Sequence, residues 1–493
     1  MKNILSILII QLTFVFSAAT ITDVAGFRMM STSSQILVNY SIVGDLLDEV
    51  WTQGCGTAGS NGCDSGEGSP NVWEWDNSNQ EWQAITNFSS TSYWWNYNGL
   101  LVYIFDDADY DGNTTDGTIN LSVTSPHLAG SQGSGLGTNS ADDWLLVGNY
   151  FGNTIDFDLT TKITGVGLDN MKRVIYVWNP VTSTYKTWTS NDSDGDGSTN
   201  SGTGTLSDGL IPAYQSFWWQ VNSNGYCRWT VDYDTDTGTT TSFLGREVND
   251  NINDNNNNVG NLSFMASSSN DEDVSFLNFN SIGDFGEDKS DAYKLLPLQA
   301  SPRLVAMSYI EDDAFEINNL PFSSLGSINI DFDIMSLDLN DSYEFVTLEE
   351  EVTLTWNLDN LPDDISIILT DLINNTSINL SDESEYSFLT EEKGSFLSYS
   401  HYDPALDIVH TLFNRDEQFN SYPRIGSSRF LLTVNYGSIS GDINEDGLLN
   451  ILDVVEIITL ILINEYNEDA DCNGDMELNV LDVVMIVDLI LTN

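Results

Sequence analysis

The chain has 493 residues, of which 74 are Asp or Glu and 15 are Lys or Arg, for a formal net charge of -59. Coulomb repulsion from such a polyanion excludes nucleic acid and anionic lipid surfaces as expected partners. Hydrophobic residues make up 41% and aromatics 11%, enough to bury real cores in about three domains of ~150 residues.

The aromatics rise and fall with Thr, Val, Ile and Gly, which points to a mainly β, extracellular protein. Screening by salt or by bound divalent cations would help a surface this acidic stay compact, and a merely solvating acidic surface is the competing reading. Only His127, His401 and His410 are present, which leaves little material for a multi-histidine zinc site or Ser-His-Asp chemistry.

Met1-Lys2-Asn3, an apolar run from Ile4 to Phe16 and Ser17-Ala18-Ala19 read as a secretory signal over 1–19, with the mature chain starting near Thr20. The run is too short for a membrane anchor, and no membrane span is expected. Secretion favours a disulfide between Cys55 and Cys63, which bracket CGTAGSNGC; Cys227 and Cys472 are open between pairing and staying reduced.

The next segments repeat one another. NVWEWDNSNQEW (Asn71 to Trp82) aligns with VIYVWNPVTSTYKTW (Val174 to Trp188), placing Trp75 on Trp178 and Trp82 on Tyr185. YNGLLVYIF (from Tyr97) aligns with YQSFWWQV (from Tyr214), and GFRMMSTS (from Gly26) with DWLLVGNY (from Asp143). The preserved order predicts a duplicated β module, repeat A over 20–137 and repeat B over 138–248, each built around an aromatic hairpin. The aromatics are expected as core and cross-strand pairs, with sugar stacking by Trp73, Trp95 or Trp218 as the competing role.

Three acidic clusters lie in these modules. DADYDG (Asp107, Asp109, Asp111) and DSDGDG (Asp192, Asp194, Asp196) space carboxylates at positions 1, 3 and 5 before a glycine, and DYDTD (Asp232, Asp234, Asp236) does so without one. None has an acid at position 12. Calcium and ordinary Asp-Gly turns are both open readings there.

An Asn-rich tract from Asn249 to Asn261 opens an expected linker and irregular segment over 249–299. Period-two runs at Ser327–Met335, Glu351–Asp359, Ile365–Ile373 and Arg429–Gly437 then predict an antiparallel β-sandwich over 300–437. Through GFRMMST, YVWNP, GLIPAYQSFWWQ and DAYKL, the body resembles the tandem β modules of large secreted and cell-surface proteins of marine and Bacteroidota-like bacteria. Many of those are exported by type IX secretion. That resemblance implies a surface or extracellular role and names no reaction.

Residues 438–493 write one loop and one helix twice. Asp442, Asn444, Asp446, Leu448, Asn450 and Asp453 take positions 1, 3, 5, 7, 9 and 12 of the first loop, with Gly447 at 6. Asp471, Asn473, Asp475, Glu477, Asn479 and Asp482 repeat the set. This spacing wraps hard oxygens round one point, as Ca2+ requires, Leu448 contributing its carbonyl. Without a cation the carboxylates repel, so binding and folding share one free energy.

The following helices, ILDVVEIITLIL and VLDVVMIVDLIL, are apolar round most of their circumference and must bury one another. The pattern closely resembles the type I dockerin, an all-α, EF-hand-like module. The resemblance implies docking onto a cohesin on a scaffold or cell surface, often in polysaccharide-degrading assemblies. Two departures stand out: Met476 replaces the turn glycine of loop two, which strains it, and positions 10 and 11 are Ile451-Leu452 and Val480-Leu481, a greasy face.

Three functions follow as expectations. The first is a non-catalytic secreted or cell-surface β-rich protein with a calcium-dependent docking tail. Its partners would be a cohesin-like or cell-surface protein, or the tail's own packing on residues 300–437. The second is a glycan-binding or polysaccharide-degrading component carried by its dockerin, the third a calcium-loaded structural surface protein. A glycosidase needs two carboxylates about 5–9.5 Å apart, and among 74 acids no pair stands out.

Overall fold

The computed structural model describes residues 17–22, 25–31, 47, 50–56, 63–88, 98–105, 118–123, 131–149, 154–161, 170–192, 197, 201–232, 260–280, 283–321, 326–358, 361, 365–398, 402–403, 408–409, 419–436, 443, 451–463, 465–467, 470–472 and 476–492. The chain is mainly β and divides into two compact units. Unit 1 holds Met1–Asp254, Pro297–Ala300 and Tyr399–Phe419; unit 2 holds the remainder.

Unit 1 contains β1 (Ser17–Thr22), β2 (Gly26–Met30), β3 (Val72–Asp76), β4 (Glu81–Ala84), β5 (Leu100–Ile104), β6 (Thr118–Val123), β7 (Ser131–Asn139) and β8 (Trp144–Gly148). It continues with β9 (Ile155–Asp156), β10 (Met171–Asn179), β11 (Thr184–Ser190), β12 (Gly202–Gly204), β13 (Leu210–Ile211), β14 (Ser216–Val221) and β15 (Gly225–Asp232). Three residues assigned to the leader, Ser17 to Ala19, belong to β1, which pairs antiparallel with β6.

Two sheets of unit 1 are built alike. One runs β2-β5-β3-β4, the other β8-β14-β10-β11 with β12 added. The aligned residues occupy the same register positions. Arg28 faces Val102 where Leu145 faces Trp219, and Val72 faces Val102 where Ile175 faces Trp219. Trp75 faces Trp82 as Trp178 faces Tyr185, each ring pair 5.3 Å apart and edge-on.

The sheets also exchange reciprocal bridges, Met30 with Gln215 and Asn98 with Val147. Since Met30 aligns with Val147 and Asn98 with Gln215, this is the exchange that an internal twofold relation requires. Burial of apolar area, roughly 25 cal/mol per Å2, drives the packing. Trp73, Trp75, Trp178 and Trp218 are all at most 2% exposed. Trp73 and Trp218 are therefore core residues, which removes them as sugar-stacking platforms. Trp95 lies outside the described residues. Cys55 and Cys63 form a disulfide beside this core.

Unit 2 begins its β structure earlier than expected. β16 (Gly260–Ser267) and β17 (Glu272–Asn280) fall within the segment read as linker, and β18 (Ala292–Tyr293) follows. The reason is period-two burial: Leu262, Phe264 and Ala266 point inward from β16. The Asn-rich tract itself masks that alternation in sequence.

Next come β19 (Arg303–Ile310), β20 (Asp313–Pro321), β21 (Ser327–Leu339), β22 (Glu344–Leu348), β23 (Glu351–Asn357), β24 (Ile365–Asp371), β25 (Thr376–Asn379), β26 (Glu385–Leu389) and β27 (Ser395–Ser398). β28 (Tyr402–Asp403) and β29 (Ile408–Val409) pair with each other in unit 1, and β30 (Phe430–Tyr436) returns to unit 2.

The main path of this sheet is β25-β24-β30-β21-β19-β20-β17-β16-β23-β26. The expected antiparallel sandwich is thus one hydrogen-bonded sheet folded over on itself, and its β17–β20 pair is parallel. Phe388 on β26 and Phe430 on β30 lie far apart along the path yet pack edge to face at 4.9 Å. Phe264 meets Phe332 at 5.0 Å in the same core.

Scarce cations are drawn inside. Among the described residues, Arg28, Lys172, Arg173, Lys294, Arg303 and Arg429 are all buried, six of the 15 Lys and Arg of the chain. Lys294 Nζ lies 2.8 Å from Asp273 Oδ1 and 3.3 Å from Glu316 Oε2. Burial alone would lower the Lys294 pKa, but these two carboxylates outweigh it and hold it above the usual lysine value.

Candidate metal centre

The tail of unit 2 carries two helices, α1 (Ile451–Ile463) and α2 (Val480–Thr492). Both lack Gly and Pro and open on an Asp in the first turn, Asp453 and Asp482, where negative charge complements the helix dipole. Val454, Ile457, Ala470 and Ile486 form their shared core, with Ile443, Cys472 and Leu478 from the loops packed against it. The loops are thereby tied to the helix pair by apolar contacts at their second and eighth positions.

Asn479 caps α2: its Oδ1 accepts the Leu481 N–H at 2.9 Å, and its own N–H donates to Asp482 Oδ2 at 2.8 Å. This reciprocal pair is a capping box. At the first position of the second loop, Asp471 Oδ2 accepts the Met476 N–H at 2.7 Å and the Tyr466 hydroxyl at 3.0 Å. Met476 stands at φ +65°, in the left-handed region that glycine would occupy without penalty. Its side chain is 82% exposed, so it contributes little packing in return.

In the first loop, the Ile443 N–H donates to Asp453 Oδ1 at 3.0 Å. Asp453 and Asp482, the position-12 residues, are both 0% exposed. Burying a carboxylate is costly without a compensating charge or hydrogen bonds. The tail from Ser438 to Asn493 contains thirteen Asp and Glu and no Lys or Arg. Any positive charge facing these groups from within the tail must come from backbone dipoles or from a bound cation. An oxygen-only donor set with two buried acids suits a hard divalent ion such as calcium.

The structure brings Asp453, Asp471, Glu477, Asn479 and Asp482 onto the helix pair and its loops. Asp442, Asn444, Asp446, Leu448, Asn450, Asn473 and Asp475 lie outside the described residues. Among the described residues, no three His, Cys, Asp or Glu converge on one point. Tyr466 was not singled out by sequence: it lies five residues before Asp471, in the connection between the repeats, where no spacing rule applies.

The upstream clusters divide differently. Asp107, Asp109, Asp111, Asp194, Asp196, Asp234 and Asp236 lie outside the described residues, and Asp232 ends β15. Asp192 is buried, and its Oδ2 accepts the Gly197 N–H at 3.1 Å, the same first-to-sixth bond that Asp471 makes. Gly197 has φ +79°, and a Cβ there would fall 2.3 Å from the Leu159 carbonyl oxygen. Glycine is required there by both conformation and space. The Asp192 carbonyl accepts from the Arg173 guanidinium, which ties this turn to β10.

Cys227 is buried on β15 in unit 1, and Cys472 is half-buried in the tail of unit 2. Among the described residues, no helix is long and apolar enough to cross a membrane. No family model, curated protein or solved structure matches the chain.

Proposed function

We propose that this is a non-catalytic, β-rich secreted or cell-surface protein whose C-terminal tail is a calcium-dependent docking module of the dockerin kind. The observation that carries the reading is the pair of fully buried carboxylates, Asp453 and Asp482, at the same position of two repeated loops in a segment devoid of cationic side chains. Calcium held by the loops relieves carboxylate repulsion, fixes the first turn of each helix and lets α1 and α2 close on their shared core. The β units serve as the displayed body, and the tail attaches it. Burial of Trp73 and Trp218 leaves Trp95, outside the described residues, as the one candidate of the three for sugar stacking.

The test is hydrogen exchange on the full chain, with and without calcium, read on peptides from Ile451–Ile463 and Val480–Thr492. Amide protection in both helices should fall on chelation and return when calcium is restored, while β21 and β30 stay unchanged. Helices equally protected in the two states would refute the calcium-ordered module.

A further inference from the structure

We infer, resting on the docking reading above, that the tail's partner is a protein presenting an apolar patch ringed by Lys and Arg. The inner faces of α1 and α2 are consumed by the tail core, but each helix carries a second apolar stripe. Leu452, Val455 and Ile458 are 57%, 55% and 42% exposed; Leu481, Val484 and Val487 are 58%, 60% and 37% exposed. Within each set the spacing is three residues, which places the members on one helix face. The two sets are equivalent across the duplication, each residue of one lying 29 positions before its counterpart. Exposed apolar patches of this kind mark interaction surfaces in soluble proteins.

Charge selects the occupant. Among the described residues, the exposed charged side chains that accompany these stripes, Glu456, Glu465 and Glu477, are all acidic. Two calcium ions would neutralise four of the thirteen negative charges between Ser438 and Asn493, and no lysine or arginine offsets the remainder. A second copy of a chain with formal charge -59 brings a large excess of like charge to this face. The same repulsion opposes the acidic exterior of the chain's own β sheet and any anionic lipid surface. A patch whose apolar centre covers the stripes and whose cationic rim meets the glutamates satisfies both features.

The probes are labelled amphipathic helical peptides of equal length: a Leu face with a Lys polar face, a Leu face with a Glu polar face, and a Ser face with a Lys polar face. Their binding to the calcium-loaded full chain is read by fluorescence anisotropy, alongside the double variant Val455→Asp/Val484→Asp. The Leu/Lys peptide should bind at least tenfold tighter than the other two. The double variant should weaken it at least tenfold, although that variant adds two negative charges. Equal binding by the Ser/Lys peptide, or unchanged or tighter binding to the variant, would mean bulk charge attraction and would overturn the inference. So would equal binding of the Leu/Glu peptide, or a calcium-dependent dimer in sedimentation that the double variant abolishes. Calcium titration of the same sample separates the two levels: normal uptake without peptide preference defeats only this inference, and absent uptake defeats the docking reading beneath it.

Discussion

Met476 donates its backbone hydrogen to Asp471 Oδ2 at 2.7 Å while held at a φ of +65°. The first loop has Gly447 at the equivalent position, so the second loop alone combines this geometry with a Cβ. A left-handed conformation costs a non-glycine residue roughly 1–2 kcal/mol, and an 82%-exposed side chain recovers little of it. Met476→Gly should therefore raise calcium affinity at loop two by up to about thirtyfold, since 1.4 kcal/mol is a factor of ten. Isothermal titration of the full chain checks this, and a weaker second site in the glycine variant would contradict it.

The buried acids make a sharper prediction. Asp453→Asn and Asp482→Asn keep size and hydrogen-bonding capacity but remove the charge that a cation would meet. Each should remove calcium from its own loop, reducing stoichiometry by one, and should lower helix protection most in the adjacent helix. If both variants titrate like the parent chain, the position-12 assignment fails. Asn479→Ala provides a contrast, because it removes the Oδ1 that accepts the Leu481 N–H and leaves the backbone bond to Asp482 in place. Loss of that cap should destabilise α2 by about 1 kcal/mol even in saturating calcium.

An aromatic prediction concerns unit 1. Phe419 stacks on Trp144 at 4.6 Å with 5° between planes and meets Trp75 and Trp218 edge-on at 5.5 and 4.9 Å. Each such ring pair is worth roughly 0.5–1.5 kcal/mol beyond area burial. Phe419→Ala should lower the stability of unit 1 by roughly 2 kcal/mol and shift tryptophan emission to the red as water reaches the site. Phe419→Leu should restore part of the stability and none of the ring contacts. Identical emission and melting in the Ala variant would show that the cluster stands without Phe419.

How much of this was legible in sequence depends on whether the signal was local. The hairpin registers could be read because Trp75–Trp82 and Trp178–Tyr185 are fixed by short turns, and the aligned strands inherit that register. Asp453 and Asp482 stand out in sequence because they take the same position of two repeated loops, and both are buried. Phe419 among three tryptophans was not, since contacts spanning hundreds of residues leave no periodic trace. Strands β16 and β17 were obscured by the polar tract before them, although Leu262, Phe264 and Ala266 alternate correctly. The parallel β17–β20 pairing was invisible because alternation encodes a buried face and not a strand's direction.

The last prediction is a pH dependence in unit 2. Asp371 is 1% exposed, and burial alone would raise its pKa. Hydrogen bonds from Arg429 outweigh that effect, at 2.8 Å from Nη2 and 3.2 Å from Nε, together with the amides of Asn374 and Ile373. They hold the carboxyl below the ordinary aspartate value of about 3.9. A depressed carboxylate contributes stability that is fully present above the unfolded value and is lost as pH falls through the folded one.

Asp273 and Asp333 have the opposite sign. Burial raises both despite Lys294 and Lys393, so protonation in acid relieves them. Comparing the parent chain with Asp371→Asn cancels those contributions. The variant leaves Arg429 buried without its counter-charge and should cost about 3–5 kcal/mol at neutral pH. Measured by denaturant unfolding, that gap should narrow steadily as pH drops below about 3.9, because the parent chain then loses the same charge. A gap that stays constant between neutral and strongly acidic pH would mean that Asp371 contributes through shape and hydrogen bonding alone, and not through its ionised pairing with Arg429.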